Sequence, residues 1–447
     1  MPPEQPKLSP DELDEIDKEL RALAGETRPA VSPDALAALA AGGATIPIVR
    51  TPPNAGGAPA VAPRVEDATL AVSFSPSPDE FFNSAVTLTI RCAVVGARIY
   101  YALGTKDVDD KGTVYDPQNP VVLEQSTLVA ARAYADGRMG PVSSAQFDIV
   151  KPVWKELEPQ DQSDPSPHKM SENLTVAGGW QIAAGSVRGK LHAHRGSWRE
   201  DSFALGQVET GSGAWSVIVV SDGAGSAPLS RVGSKVACAT ALSSLSTGLR
   251  MLGGLSGDKE LLIAQDLPAL RQILMQAGAD ALTAIQAEAR TREKSVSSFA
   301  ATLLVLVQRD WNGAQLCSAL QVGDGAIALW DSEKIVLLGE ADHGQNSGET
   351  RFLTTTGIEN ELAARVRFSI KQQLQGVAVM SDGVSDDYFP EDPKLAELFA
   401  AVLPVAQSAP DAGGALISWL GYEKRGSSDD RTLVVGWLAG TEANRGG

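Results

Sequence analysis

At 447 residues the chain is too long for one ordinary hydrophobic core, so two or three folding units are expected. A net charge of −17, with no run of Lys and Arg to offset it, argues against a nucleic-acid backbone or an anionic membrane as partner. The 43% of hydrophobic residues is enough for globular domains. Cys92, Cys238 and Cys317 are odd in number, far apart and set in apolar contexts, which reads as buried, reduced thiols. The N-terminus lacks a basic start and an apolar core, and no stretch of about 18 apolar residues offers a membrane span. A cytoplasmic protein is the expectation.

Residues 1–66 read as a mostly disordered tail carrying one short amphipathic helix. Ser9 is a candidate N-cap with Pro10 behind it, and Leu13, Ile16, Leu20 and Leu23 fall at helical spacing. The Ala/Pro/Gly tract from Ala30 to Pro63 has too few large apolar residues to fold alone. The helix is either a solvated segment or a docking peptide for a partner's groove.

Residues 67–150 change character. Short alternating runs at 68–74, 85–91, 97–102 and 126–134 are separated by Pro, Gly, Asp and Asn clusters, the pattern of a small antiparallel β-sandwich. Within it, Ala97-Arg-Ile-Tyr-Tyr-Ala102, Tyr115-Asp-Pro117 and Leu128-Val-Ala-Ala-Arg-Ala-Tyr134 resemble the chitobiase C-terminal-type immunoglobulin-like module. That resemblance implies a spacer or interaction domain rather than sugar chemistry. Residues 151–175, rich in Pro, Ser, Asp and Glu, read as a linker.

The last domain, 176–440, opens with β-like segments at 180–187 and 201–207 and a strand ending at Val220. Helices follow at 230–252 and 258–290. Strands return at 299–307, 316–329, 334–338, 351–354, 365–370, 376–380 and 431–438. Strands, a helix pair and more strands fit an α+β fold, an αββα sandwich of two antiparallel sheets flanked by helices. A C-terminal tail, 441–447, completes the chain.

Three acidic signatures abut those buried strands: Ser221-Asp222-Gly223, Ser381-Asp382-Gly383 and Ser428-Asp429-Asp430. Carboxylates converging at apolar strand ends repel one another unless a cation holds them, and hard Mg²⁺ or Mn²⁺ prefers oxygen ligands. Asp-Gly is also an ordinary turn dipeptide, and Asp324 in Val322-Gly-Asp-Gly325 could simply close a hairpin. Trp180, Trp198, Trp215 and Trp330 read as packing residues.

With Glu200-Asp201-Ser202, Ser298-Phe-Ala-Ala-Thr302, Val322-Gly-Asp324, Ser381-Asp-Gly-Val-Ser-Asp386 and Gly426-Ser-Ser-Asp-Asp-Arg-Thr432 in order, the domain resembles the metal-dependent protein phosphatases of type 2C. Gly189-Lys-Leu-His192 and Gly348-Glu-Thr-Arg-Phe-Leu353 resemble its bacterial branch. The resemblance implies a protein serine/threonine phosphatase hydrolysing phosphomonoesters with a metal-activated water and no covalent intermediate. It implies two Mn²⁺ or Mg²⁺ ions and a third, weakly bound one. Asp222 would bridge two ions, Gly223 would offer its carbonyl, and Asp382 and Asp429 would complete a ligand set. Glu200 would hold a water, and Asp324 would serve the third ion. Asp201 would steady its strand end, and Asp386 and Asp430 would orient ligands. A phosphorylated protein is the implied substrate, and a cognate Ser/Thr kinase is the partner this reading admits.

The chain departs from the family pattern at the phosphate anchor. Gly196 stands where many relatives place Arg, which leaves Arg195, His192 and Arg199 as candidates. An alternative follows from that displacement: a weakly active or inactive phosphatase-like adaptor working through its N-terminal sandwich. Hydrolysis of a small phosphorylated metabolite is a third reading.

Overall fold

Alternation of β-branched and apolar residues builds most of this fold. The computed structural model describes Ile16 and residues 70–439, apart from 79–81, 83–84, 110–111, 150–153, 332–334, 343–349, 389–391 and 425. The expected tails at 1–66 and 441–447 therefore lie outside the described residues, except for Ile16. The chain divides into two compact units, Pro29–Val153 and the pair Met1–Arg28 with Trp154–Gly447.

The smaller unit is a β-sandwich. Strands β1 (Val72–Ser75), β2 (Val86–Cys92) and β5 (Val121–Leu123) form one sheet. Strands β3 (Arg98–Leu103), β4 (Thr113–Val114), β6 (Thr127–Ala135), β7 (Arg138–Met139) and β8 (Ser143–Phe147) form the other. Leu88, Ile90, Leu123, Val129, Ala131 and Phe147, drawn from both sheets, share one buried core.

In the larger unit, β9 (Lys169–Val176), β10 (Trp180–Val187), β15 (Ala326–Asp331), β16 (Ile335–Leu337), β18 (Leu374–Met380) and β19 (Arg431–Leu438) make a six-stranded sheet. A five-stranded sheet contains β11 (Ser202–Thr210), β12 (Gly213–Ser221), β13 (Leu303–Trp311), β14 (Ala314–Val322) and β17 (Val366–Lys371). All pairings are antiparallel.

Successive side chains along a strand point to opposite faces, and the central strands are apolar on both. On β12, Val217 and Val219 join the core beneath helices α2 (Ser230–Leu252) and α3 (Leu267–Thr291). Ile218 and Val220 enter the core between the sheets instead. On β19, Val434 faces that inner core while Leu433 and Val435 face helices α5 (Asp392–Ser408) and α6 (Ala412–Trp419). The result is the expected αββα sandwich.

Several details differ from the sequence pattern. The apolar run 316–329 is two strands in different sheets, because Gly323-Asp324-Gly325 carries the chain from one to the other. Asp324 therefore does not close a hairpin. The segment 351–354 is not a strand. Within the segment expected to be a linker, 169–176 is an edge strand, and Ser166 is buried. Ile16 is helical and fully buried in the core shared by α2 and α3. Cys238 and Cys317 are buried free thiols, whereas Cys92 is only half-buried. Among the described residues, no helix is long and apolar enough to cross a membrane.

Candidate active site

Strand register brings distant acidic residues to one end of the sandwich. Ser202 pairs with Ser221, which sets Glu200 and Asp201 beside Asp222. Met380 pairs with both Leu433 and Ala326, so Asp382, Asp429 and Asp324 emerge at a common edge. Val187 pairs with Arg431, which places the short helix α1 (Lys190–Arg195) next to Asp429 and Asp430.

Two groupings result. Asp222, Asp324 and Asp382 each offer an oxygen within 4.8 Å of the others, and His192, Asp429 and Asp430 do the same. Asp429 thus groups with His192 and Asp430 rather than with Asp222, although its charge still reaches Asp382 and Glu200. The Asp222 turn is fixed by Thr302, whose Oγ1 accepts the Asp222 N–H at 2.8 Å and whose N–H donates to the Asp222 carbonyl at 2.8 Å. That contact supplies a structural role for the Ser298–Thr302 motif.

Asp430 is the organiser of the second grouping. Its Oδ1 accepts the Gly189 N–H at 2.6 Å and pairs with His192 Nδ1 at 2.8 Å, while Oδ2 accepts the Glu200 N–H at 2.5 Å. Asp201 is 1% exposed, and its Oδ2 accepts from Ser381 Oγ at 2.8 Å and Thr432 Oγ1 at 2.7 Å. It thereby ties β11 to the ends of β18 and β19. Asp386 is exposed on helix α4 (Asp382–Tyr388). The buried carboxylate there is Asp387, which accepts from Tyr422 at 2.7 Å and lies 3.7 Å from Arg431. Adjacent helix positions face different directions, which exposes Asp386 and buries Asp387.

Of the three candidate phosphate contacts, Arg195 is exposed at the end of α1, and its charge is felt by Asp429. His192 is buried, with Nε2 4.0 Å from Glu200. Arg199 is 2% exposed and gives Nη2 to Met170 Sδ at 3.7 Å. Its guanidinium sits in the interior, not where a substrate could reach it.

The electrostatics are those of crowded anions. Burial, with Asp382 and Asp201 close by, holds the Asp222 carboxyl well above the ordinary carboxylate range. Burial and the charges of Asp324, Asp429 and Asp201 push Asp382 up to about 7, against a hydrogen bond with Asp222 that lowers it. Burial raises Glu200 to about 7, and burial with Asp430 raises Asp201 to about 6. For His192 burial opposes protonation, but the bond to and charge of Asp430, with Glu200 and Asp429, lift it to about 9. Asp382 Oδ1, Glu200 Oε2 and Asp201 Oδ1 are buried without a hydrogen-bond partner among the described residues. Buried carboxylate oxygens lacking donors, and anions that repel, are what hard divalent cations neutralise, so the donor set fits Mg²⁺ or Mn²⁺.

The protein phosphatase 2C family, PP2C_2, matches residues 188–421. The chain belongs to the protein phosphatase 2C family. Solved structures similar to it include a serine-threonine phosphatase 2C from Toxoplasma gondii, 14% identical, covering 61% of this chain and 100% of that one, with a TM-score of 0.40. The catalytic domain of the phosphatase PstP, solved with two manganese ions, is 19% identical, with coverage of 58% and 98% and a TM-score of 0.37. The Mycobacterium tuberculosis phosphatase PstP/Ppp is 17% identical, with coverage of 58% and 99% and a TM-score of 0.36. No curated protein sequence matches the chain.

Proposed function

We propose that this chain is a serine/threonine phosphoprotein phosphatase that depends on Mn²⁺ or Mg²⁺. The observation that carries the reading is the convergence of Asp222, Asp324 and Asp382 within 4.8 Å, beside buried oxygens that have no donor among the described residues. Asp222, Asp324, Asp382 and Asp429, with the Gly223 carbonyl, would hold the cations. Bound there, such ions supply positive charge to phosphoryl oxygens and acidify water.

The chain's own groups do the rest. Glu200, beside the cluster with a bare Oε2, accepts a hydrogen from the attacking water. Arg195 meets the phosphate from the open side. The water oxygen forms the new P–O bond as the Ser or Thr Oγ leaves, taking a proton, and no residue is phosphorylated. Asp201 and Asp430 keep the strand ends in place through their hydrogen bonds. The substrate class is a phosphorylated protein segment, and a cognate kinase would supply it.

The test is phosphate release from phosphothreonine peptides and p-nitrophenyl phosphate. Activity is expected with Mn²⁺ and is lost with EDTA. In Asp222→Asn and Asp382→Asn it drops by at least about 100-fold at unchanged fold. Folded protein that binds Mn²⁺ and hydrolyses neither substrate would establish the adaptor instead. Turnover of small esters alone would point to a metabolite.

A further inference from the structure

Helix α1 spans only Lys190–Arg195 and has no side-chain cap at its N-terminus. So short a helix is not stable by itself, and it is held by what packs on it. Yet it carries His192 and Arg195 to the catalytic end. Ser428 and Asp430 hold one side of it, through the Leu191 N–H at 2.9 Å, the Gly189 N–H and His192 Nδ1. The other side is held by 154–168, part of the stretch whose composition reads as a linker. Leu157 N–H donates to the Ala193 carbonyl at 2.9 Å, and Lys155 N–H donates to His194 Nδ1 at 3.1 Å. Trp154 meets the His194 ring edge-on at 5.7 Å. Arg188 Nη2 clasps both the Leu157 carbonyl, at 2.7 Å, and the His192 carbonyl, at 3.1 Å.

The other end of the segment is anchored to the helix layer. Arg292, following α3, grips Asp164 with both terminal nitrogens, at 2.6 and 2.9 Å. Arg231, in the first turn of α2 and 7% exposed, donates to the Asp164 carbonyl at 2.9 Å and to Asp161 Oδ2 at 2.5 Å. Trp198 Nε1 donates to the Asp161 carbonyl at 2.5 Å. A two-pronged guanidinium–carboxylate pair fixes orientation as well as distance.

We propose that 154–168 is a positioning strap: Asp164, gripped by Arg231 and Arg292, holds the segment against α1 and so sets where Arg195 meets the substrate phosphate. The effect on substrate rests on the phosphatase reading, whereas the grip on α1 does not. Asp161 and Asp164 touch no reacting atom and act through α1, so the strap governs substrate affinity more than cation binding.

The experiment uses the full chain with Asp164→Ala, Arg292→Ala and their double variant. Asp161→Ala serves as a milder arm should those fold poorly. Amide hydrogen exchange across 189–196 is read alongside kcat and KM for a phosphothreonine peptide and calorimetric Mn²⁺ affinity. Each single variant is expected to speed exchange in α1 and raise KM roughly three- to tenfold, with kcat and Mn²⁺ affinity within about twofold. The double variant is expected to be no worse than either single one, as for two ends of one contact. Unchanged exchange in α1, or losses confined to kcat or Mn²⁺ affinity, would overturn the strap. If the wild-type chain hydrolyses no phosphopeptide, the phosphatase reading fails, and the exchange measurement alone still decides whether Asp164 holds α1.

Discussion

Among single residues, the raised carboxyls of Asp382, Glu200 and Asp201 link stability to pH. Their folded values of about 7, 7 and 6 lie above those of an unfolded chain, so the cation-free fold holds extra protons in the acid range. His192, raised to about 9, contributes in the same direction. The stabilisation is complete below the ordinary carboxylate range and is lost as pH rises through about 7. The EDTA-treated protein should therefore lose several degrees of Tm between pH 5 and pH 8, and excess Mn²⁺ should remove most of that loss. A Tm that rises with pH in EDTA would contradict the crowding of these groups. The candidate metal ligands Asp222, Asp324, Asp382 and Asp429 were readable because each abuts an apolar run. Asp430's ties to Gly189, His192 and Glu200 were not, since they depend on strands hundreds of residues apart falling into register.

At the scale of elements, the site depends on close backbone contacts between segments. A Cβ on Gly383 would come within 1.9 Å of the Asp430 carbonyl oxygen, and one on Gly189 within 2.3 Å of the Asp429 carbonyl carbon. Either Ala substitution forces the Asp429–Asp430 turn outward. Gly383→Ala should cost about 1–3 kcal/mol by chemical denaturation and lower activity more than that loss alone explains. Wild-type activity and stability in Gly383→Ala would show that the turn can yield. Element by element, β10, β19 and α2 were legible from strong apolar periodicity. The break at Gly323–Gly325 was not, because unbroken hydrophobicity runs through two sheets. The edge strand β9 was hidden too: its burial alternates weakly, and polar residues dominate it.

For the whole molecule, each unit owns its own core. Leu88 is fully buried within the sandwich, and its replacement by Ala should cost roughly 2–5 kcal/mol in that unit. Calorimetry of Leu88→Ala should show one transition lowered and another unmoved, with phosphatase turnover intact. A single transition that shifts as a whole would mean that the units melt together. Composition offers no sign that Ile16 joins the core of the larger unit, because only a packed neighbour could reveal it.

That last residue has a topological consequence. Since Ile16 belongs to the same core as α2 and α3, the larger unit is discontinuous, and the sandwich is an insertion between Met1–Arg28 and Trp154–Gly447. A nascent chain must finish the intervening module before the early isoleucine can find its seat. A fragment trimmed to begin at Trp154 would leave a hole where that side chain belongs.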